Sequence, residues 1–122
     1  MSAPLKKAFR DLRAAALEFP EVHEDFPWGH SAFKVAKKKT FCFLVLEPKQ
    51  LSMSCKLPES HDMALMLPFC EPTGYGLGKS GWVTATFLAG KKVPPVSLLR
   101  EWLLESYRAL APKKLSKRLD QV

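Results

Sequence analysis

The chain has 122 residues, of which 47% are hydrophobic, and a formal net charge of +7. Its length is that of a single domain, residues 1–122, with enough apolar side chains for a core, and no run reaches the roughly eighteen apolar residues of a membrane helix. The charged N-terminus has no apolar core of a secretory signal, and Cys42, Cys55 and Cys70, far apart and without a CxxC pair, point to reduced thiols in a cytoplasmic protein.

Residues 4–18 predict an amphipathic helix. Pro4 suits its first turn, and Leu5, Phe9, Leu12 and Ala16 share one face while Lys6, Lys7, Arg10 and Arg13 lie off it. Phe19-Pro20 ends the helix, and residues 21–30 read as a connector punctuated by Pro27 and Gly29. Residues 31–36 and 40–46 read as a hairpin turned by Lys37, Lys38 and Lys39. In its first strand Phe33 and Val35 alternate with Ala32, Lys34 and Ala36. The second is apolar on both faces, Phe41, Phe43 and Val45 on one and Cys42, Leu44 and Leu46 on the other. After Pro48-Lys49-Gln50 a third strand places Leu51, Met53 and Cys55 inward and Ser52, Ser54 and Lys56 outward.

Pro58 opens a short helix over residues 58–67, with Met63, Met66 and Leu67 turned inward. Residues 69–81 are irregular, and residues 82–88 (WVTATFL) form a further strand. Ser97 is a candidate N-cap for a helix over residues 98–110 that buries Leu99, Trp102, Leu103 and Leu110. Residues 113–119 read either as a last basic turn or as a frayed end. The order α-β-β-β-α-β-α indicates an α+β fold: an antiparallel sheet of about four or more strands with helices packed on one face.

The run LEFPEVHEDFPWGHSAFKVAKKKTFCFL, the Gly74-Tyr75-Gly76 segment, Trp82-Val83-Thr84 on a strand and Ser106-Tyr107 in a C-terminal helix together resemble the MmcQ/YjbR family over nearly the whole chain. The resemblance implies a frataxin-like (CyaY-like) α+β fold and DNA binding through a "double wing" of strands and turns. Iron binding along an acidic first helix, which the frataxin-like fold raises, does not suit this chain. Its first helix carries Asp11 and Glu18 among four basic residues, too few carboxylates for a hard cation.

Other motifs read plainly. Gly76-Leu77-Gly78-Lys79-Ser80-Gly81 spells GxGxxG, but it follows a proline-containing coil and leads into a strand, not a helix. His23, Glu24, Asp25, His30 and His61 match no metal spacing. Glu24 or Asp25 is expected to cap a turn or pair with a strand lysine. Neither an assignable catalytic set nor a cofactor motif is present, so a binding protein is expected, not an enzyme.

Charge carries the functional expectation. Between residues 29 and 58 six lysines (Lys34, Lys37, Lys38, Lys39, Lys49, Lys56) face Glu47 alone. A basic patch of this kind suits nucleic acid. The reading is a DNA-binding domain that holds phosphates through Lys34, Lys37, Lys38, Lys39 and Lys56, joined by Lys79, Lys91 and Lys92 if the turns of the fourth strand lie on the same side. The alternative is a protein- or small-ligand-binding module with a pocket framed by Trp28, Tyr75 and Trp82, in which the lysines only solubilise the surface.

Overall fold

The computed structural model describes residues 3–26, 30–37, 39–74, 76–91 and 93–120. Its elements are α1 (Ala3–Leu17), β1 (Val22–Asp25), β2 (Ser31–Val35), β3 (Lys39–Glu47), β4 (Gln50–Lys56), α2 (His61–Leu65), β5 (Cys70–Pro72), a 3-10 turn (Leu77–Ser80), β6 (Trp82–Leu88), α3 (Val96–Leu110) and α4 (Lys113–Leu119). The fold is α+β, with a six-stranded sheet in the order β1-β2-β3-β4-β6-β5, antiparallel throughout. The two strands not expected from sequence, β1 and β5, are its edges. They are short and carry His23, Glu24, Asp25, Glu71 and Pro72, a composition that discourages further strand pairing. Among the described residues no helix is long and apolar enough to cross a membrane.

Register sorts the side chains. Leu44, Leu46 and Cys42 lie opposite Met53, Leu51 and Cys55, and these lie opposite Ala85, Phe87 and Val83. This face is buried against α1 and α3. The opposite face carries Lys34, Thr40, Phe43, Val45, Ser52, Ser54, Lys56, Thr84 and Thr86. Strict alternation fails at one place. Phe33 pairs with Cys42 but Lys34 pairs with Thr40, which leaves Phe41 as the extra residue of a bulge. Phe41 therefore joins Cys42 on the covered face, fully buried and edge-on to Tyr107 with ring centroids 5.5 Å apart. It does not share a face with Phe43 and Val45.

The helix α1 buries Leu5, Ala8, Leu12, Ala15 and Ala16, with Phe9 only half-buried. The helix α3 buries Leu99, Trp102, Leu103, Ser106 and Tyr107. It starts at Val96 after Pro95, with no side-chain cap, so Ser97 is an exposed first-turn residue and not the N-cap. The short α2 begins at His61 and turns Ala64 inward, while Met63 (75%) and Met66 (83%) are exposed, against the expected inward orientation. Ala64 is buried and Leu65 packs half-buried against the core, so the inward side of this five-residue helix is already filled. Residues 113–119 form α4, seated by Leu115.

The three thiols are free. Burial pushes Cys42 well above its ordinary value, with Cys55 across the ladder adding to the effect, and burial lifts half-buried Cys70 to about 11. Cys42 and Cys70 are therefore protonated at neutral pH and poor nucleophiles, and Cys42 and Cys55 pack as small core hydrophobes.

The Ser106 hydroxyl donates to the Phe41 carbonyl and accepts the Lys56 amide at 2.9 Å. Ser106→Ala leaves both backbone groups without that partner in a buried site. It should cost about 1–3 kcal/mol in urea unfolding, whereas Ser97→Ala should stay within about 0.5 kcal/mol.

Candidate nucleic-acid interface

One end of the sheet is assembled by four successive residues of α3. Glu105 accepts the backbone amides of Glu59 and Ser60, each at 2.9 Å, and the Ser60 hydroxyl at 2.6 Å. Ser106 holds β3 to β4 as described. Tyr107 donates its hydroxyl to the Pro20 carbonyl at 2.7 Å. Arg108 donates to Asp120 at 2.9 Å, which docks the end of α4. The Tyr107 ring is buried while its hydroxyl emerges at a part-buried site. Burial raises its pKa, Arg118 pulls it down and Glu21 pushes it up.

The lysines divide between the two ends of the sheet. Lys37 lies in the β2–β3 turn, Lys39 at the start of β3, Lys56 at the end of β4 and Lys79 in the 3-10 turn that leads into β6. Because Lys56 pairs with Trp82 and Leu57 donates to the Gly81 carbonyl at 2.9 Å, these positions belong to one end. Lys34, one residue inside it, shares the open face with Lys56 two strands away, about 10 Å. Lys91 follows Leu88, which pairs with Gln50, so it sits at the opposite end, about 20 Å along the strands. Only the turn before β6 joins the other lysines, and Lys91 stands apart from them. Lys38 and Lys92 fall outside the described residues.

Pairing further divides the near group. Lys34 lies 3.1 Å from Asp25 across the β1–β2 ladder, the strand-lysine pairing expected for that carboxylate. Among the described residues Lys37, Lys39, Lys56 and Lys79 form no ion pair. Glu24 instead turns under the sheet. Its side chain, 7% exposed, takes Arg13 of α1 at 2.8 Å and the Ser31 hydroxyl at 2.7 Å. A groove of about 360 Å³ lined by Glu59, Glu101, Glu105 and Arg108 bounds this end on the side of α3.

Of the expected aromatic pocket, Trp28 and Tyr75 fall outside the described residues. Trp82 is 6% exposed, its ring 5.8 Å from that of Phe43. Beyond Phe43, the open face beside it carries Thr84, hydrogen-bonded to Ser54 at 2.7 Å and to Thr73 at 2.9 Å. His61 pairs with Asp62 at 2.9 Å, and His23 faces Lys34 across the ladder.

The glycine-rich loop is built for folding. Leu77 donates to Gly74, Gly78 to Thr73 and Gly81 to Gly78, so these amides are spent within the loop and not turned outward as an anion cradle requires. Gly76 and Gly81 lie at φ +79° and +86°, where other residues are strained. A Cβ on Gly78 would meet the Pro72 Cβ at 2.8 Å and the Thr73 carbonyl at 3.1 Å. Lys79 is displayed on this closed loop.

Two comparisons bear on the chain. The family model described as YjbR matches residues 17–109, a span that includes the hairpin, the glycine loop and most of α3. No curated protein matches.

The two roles of the loop glycines can be separated by substitution. Gly78→Ala should lose about 1–3 kcal/mol through overpacking. Gly74→Ala, where nothing lies within 4 Å of the new Cβ, should leave thermal stability unchanged within about 0.5 kcal/mol.

Proposed function

The chain belongs to the YjbR family, and on that footing we propose that it is a DNA-binding protein of CyaY-like architecture that grips the phosphate backbone of duplex DNA with the basic end of its sheet. The observation that carries this reading is the convergence of Lys37, Lys39, Lys56 and Lys79 on one end without a carboxylate partner among the described residues. An ammonium group released from internal pairing is available to displace counterions from phosphates, which is the main source of sequence-independent affinity.

A duplex suits this surface better than a single strand. Among the described residues, Phe41, Trp82 and Tyr107 near the basic end are packed into the interior, where their faces are closed to stacking bases. Contacts to phosphate then position the protein without reading sequence. Three free thiols agree with a reducing, cytoplasmic setting. Ser106 and Glu24, two of the buried polar side chains, hold elements of the fold together, and no catalytic role is part of this proposal.

Binding of a short duplex, measured by fluorescence anisotropy at several salt concentrations, should weaken with a log–log slope of about −3 to −4 for four phosphate contacts. The Lys37→Glu, Lys39→Glu double variant should lose about tenfold or more in affinity and about two units of that slope. Lys91→Glu, at the far end, should remain close to the parent. Absence of binding at low salt, or equal loss in the Lys91 variant, ends the reading.

The β2–β3 turn offers a separate check. Ala36 and Lys37 lie at φ 54° and 60°, a left-handed region that costs a non-glycine residue about 1–2 kcal/mol. Lys37→Gly should therefore raise the urea midpoint while weakening DNA binding, so that stability and affinity move in opposite directions.

A further inference from the structure

We propose that α4 is a second arm of the phosphate-binding surface and that Glu21, lying between α4 and the β2–β3 turn, is a built-in competitor that a DNA phosphate displaces. The inference rests on the DNA-binding reading above and assigns it residues far from the strand lysines in sequence.

Helical periodicity fixes how α4 presents its charge. Leu115, 7% exposed, and half-buried Leu119 face the core. At 3.6 residues per turn, Lys113 and Lys117 then point away from the core, Lys114 and Arg118 share one flank, and Ser116 and Asp120 share the other. The flanks are separately anchored. Asp120 is taken by Arg108 of α3 at 2.9 Å, which draws the acidic flank toward α3. Arg118 reaches Glu21, its Nη1 3.9 Å from Oε2. Glu21 in turn accepts the Ala36 amide on its backbone carbonyl at 3.0 Å. The basic flank of α4 and the Lys37 turn therefore meet at one residue, although more than seventy positions separate them in the chain.

The Glu21 carboxylate is poorly held. At 3.9 Å from Arg118, with side chains 62% and 52% exposed, the pair is too long and too wet to be worth much. A phosphate oxygen brings a stronger charge and better geometry to the same guanidinium. Two arms on either side of one displaceable carboxylate suit a partner with two rows of phosphates, such as a DNA duplex, better than an isolated anion.

Three variants test this, each checked by circular dichroism for an unchanged fold and titrated with the same short duplex over a salt series. Lys114→Glu with Lys117→Glu should weaken binding by about tenfold and reduce the salt slope by about two. Glu21→Gln should tighten binding several-fold at low salt. Lys37→Glu with Lys39→Glu serves as the reference for the strand arm. If the Lys37/Lys39 pair weakens binding while the Lys114/Lys117 pair leaves affinity and slope at parent values, or if Glu21→Gln binds no more tightly than the parent, this inference is overturned alone. If the parent chain does not bind the duplex at low salt, the DNA-binding reading falls with it.

Discussion

The hydroxyl of Ser106, held between the Phe41 carbonyl and the Lys56 amide, fixes the relation of α3 to the sheet. It sits where a bulge has interrupted the β2–β3 ladder and brought Phe41 onto the covered face. A bulge leaves backbone groups without ladder partners, and buried backbone groups require partners. Ser106 supplies partners from the helix side to the Phe41 carbonyl of β3 and the Lys56 amide of β4, one step beyond the Cys42–Cys55 rung that ends the β3–β4 ladder. With α3 docked there, Glu105, Tyr107 and Arg108 reach the β4–α2 connector, the α1–β1 connection and α4 in turn. No one of these bonds is strong, and the Arg108–Asp120 pair is partly exposed and so weak by itself. Together they decide which surface segments surround the end of the sheet.

Where periodicity is long and unbroken, the chain is legible from its residues. Alternation of Leu51, Met53 and Cys55 predicts the face of β4 correctly, and Leu5, Leu12 and Ala16 predict the buried side of α1. Legibility fails where an element is short or a tertiary contact overrides the local pattern. The segments Val22–Asp25 and Cys70–Pro72 have too few apolar residues to register as strands, and pairing at the sheet edges alone makes them so. Met63 and Met66 look like core residues by hydrophobicity, but Ala64 and Leu65 already fill the inward side of α2. Ser106 and Tyr107, polar by type, are buried because the bulge and Pro20 supply partners.

The basic end was partly readable for a simpler reason. In an antiparallel meander every second connection returns to the same end of the sheet, so the β2–β3 turn and the end of β4 must lie together. The hairpin and the strand after it bring Lys37, Lys39 and Lys56 together by this logic, whereas the expectation left Lys79, Lys91 and Lys92 undivided, and only the antiparallel pairing of β6 with β4 adds Lys79 to the group and sends Lys91 to the far end. The same logic says nothing of Lys34, whose charge is met by Asp25 only because β1 forms an edge strand beside it. Nor does it reach α4, whose position depends on Leu115 packing and on the pairing of Arg108 with Asp120.

Backbone strain concentrates at this same end. Among the described residues the three non-glycine residues at positive φ are Glu21, Ala36 and Lys37, and the first two are hydrogen-bonded to each other. Each conformation costs about 1–2 kcal/mol that a glycine would avoid. Such strain persists only where surrounding contacts over-determine the backbone, and here Tyr107 clamps Pro20 beside Glu21 while the β1–β2 ladder clamps Val35 beside Ala36. A glycine turn would relax the strain but would leave the lysines on a looser chain, with more freedom to lose on meeting a partner. Retaining side chains at strained positions favours a turn whose charges are already arranged, and it is the segment between Glu21 and Lys37 where the fold accepts that cost.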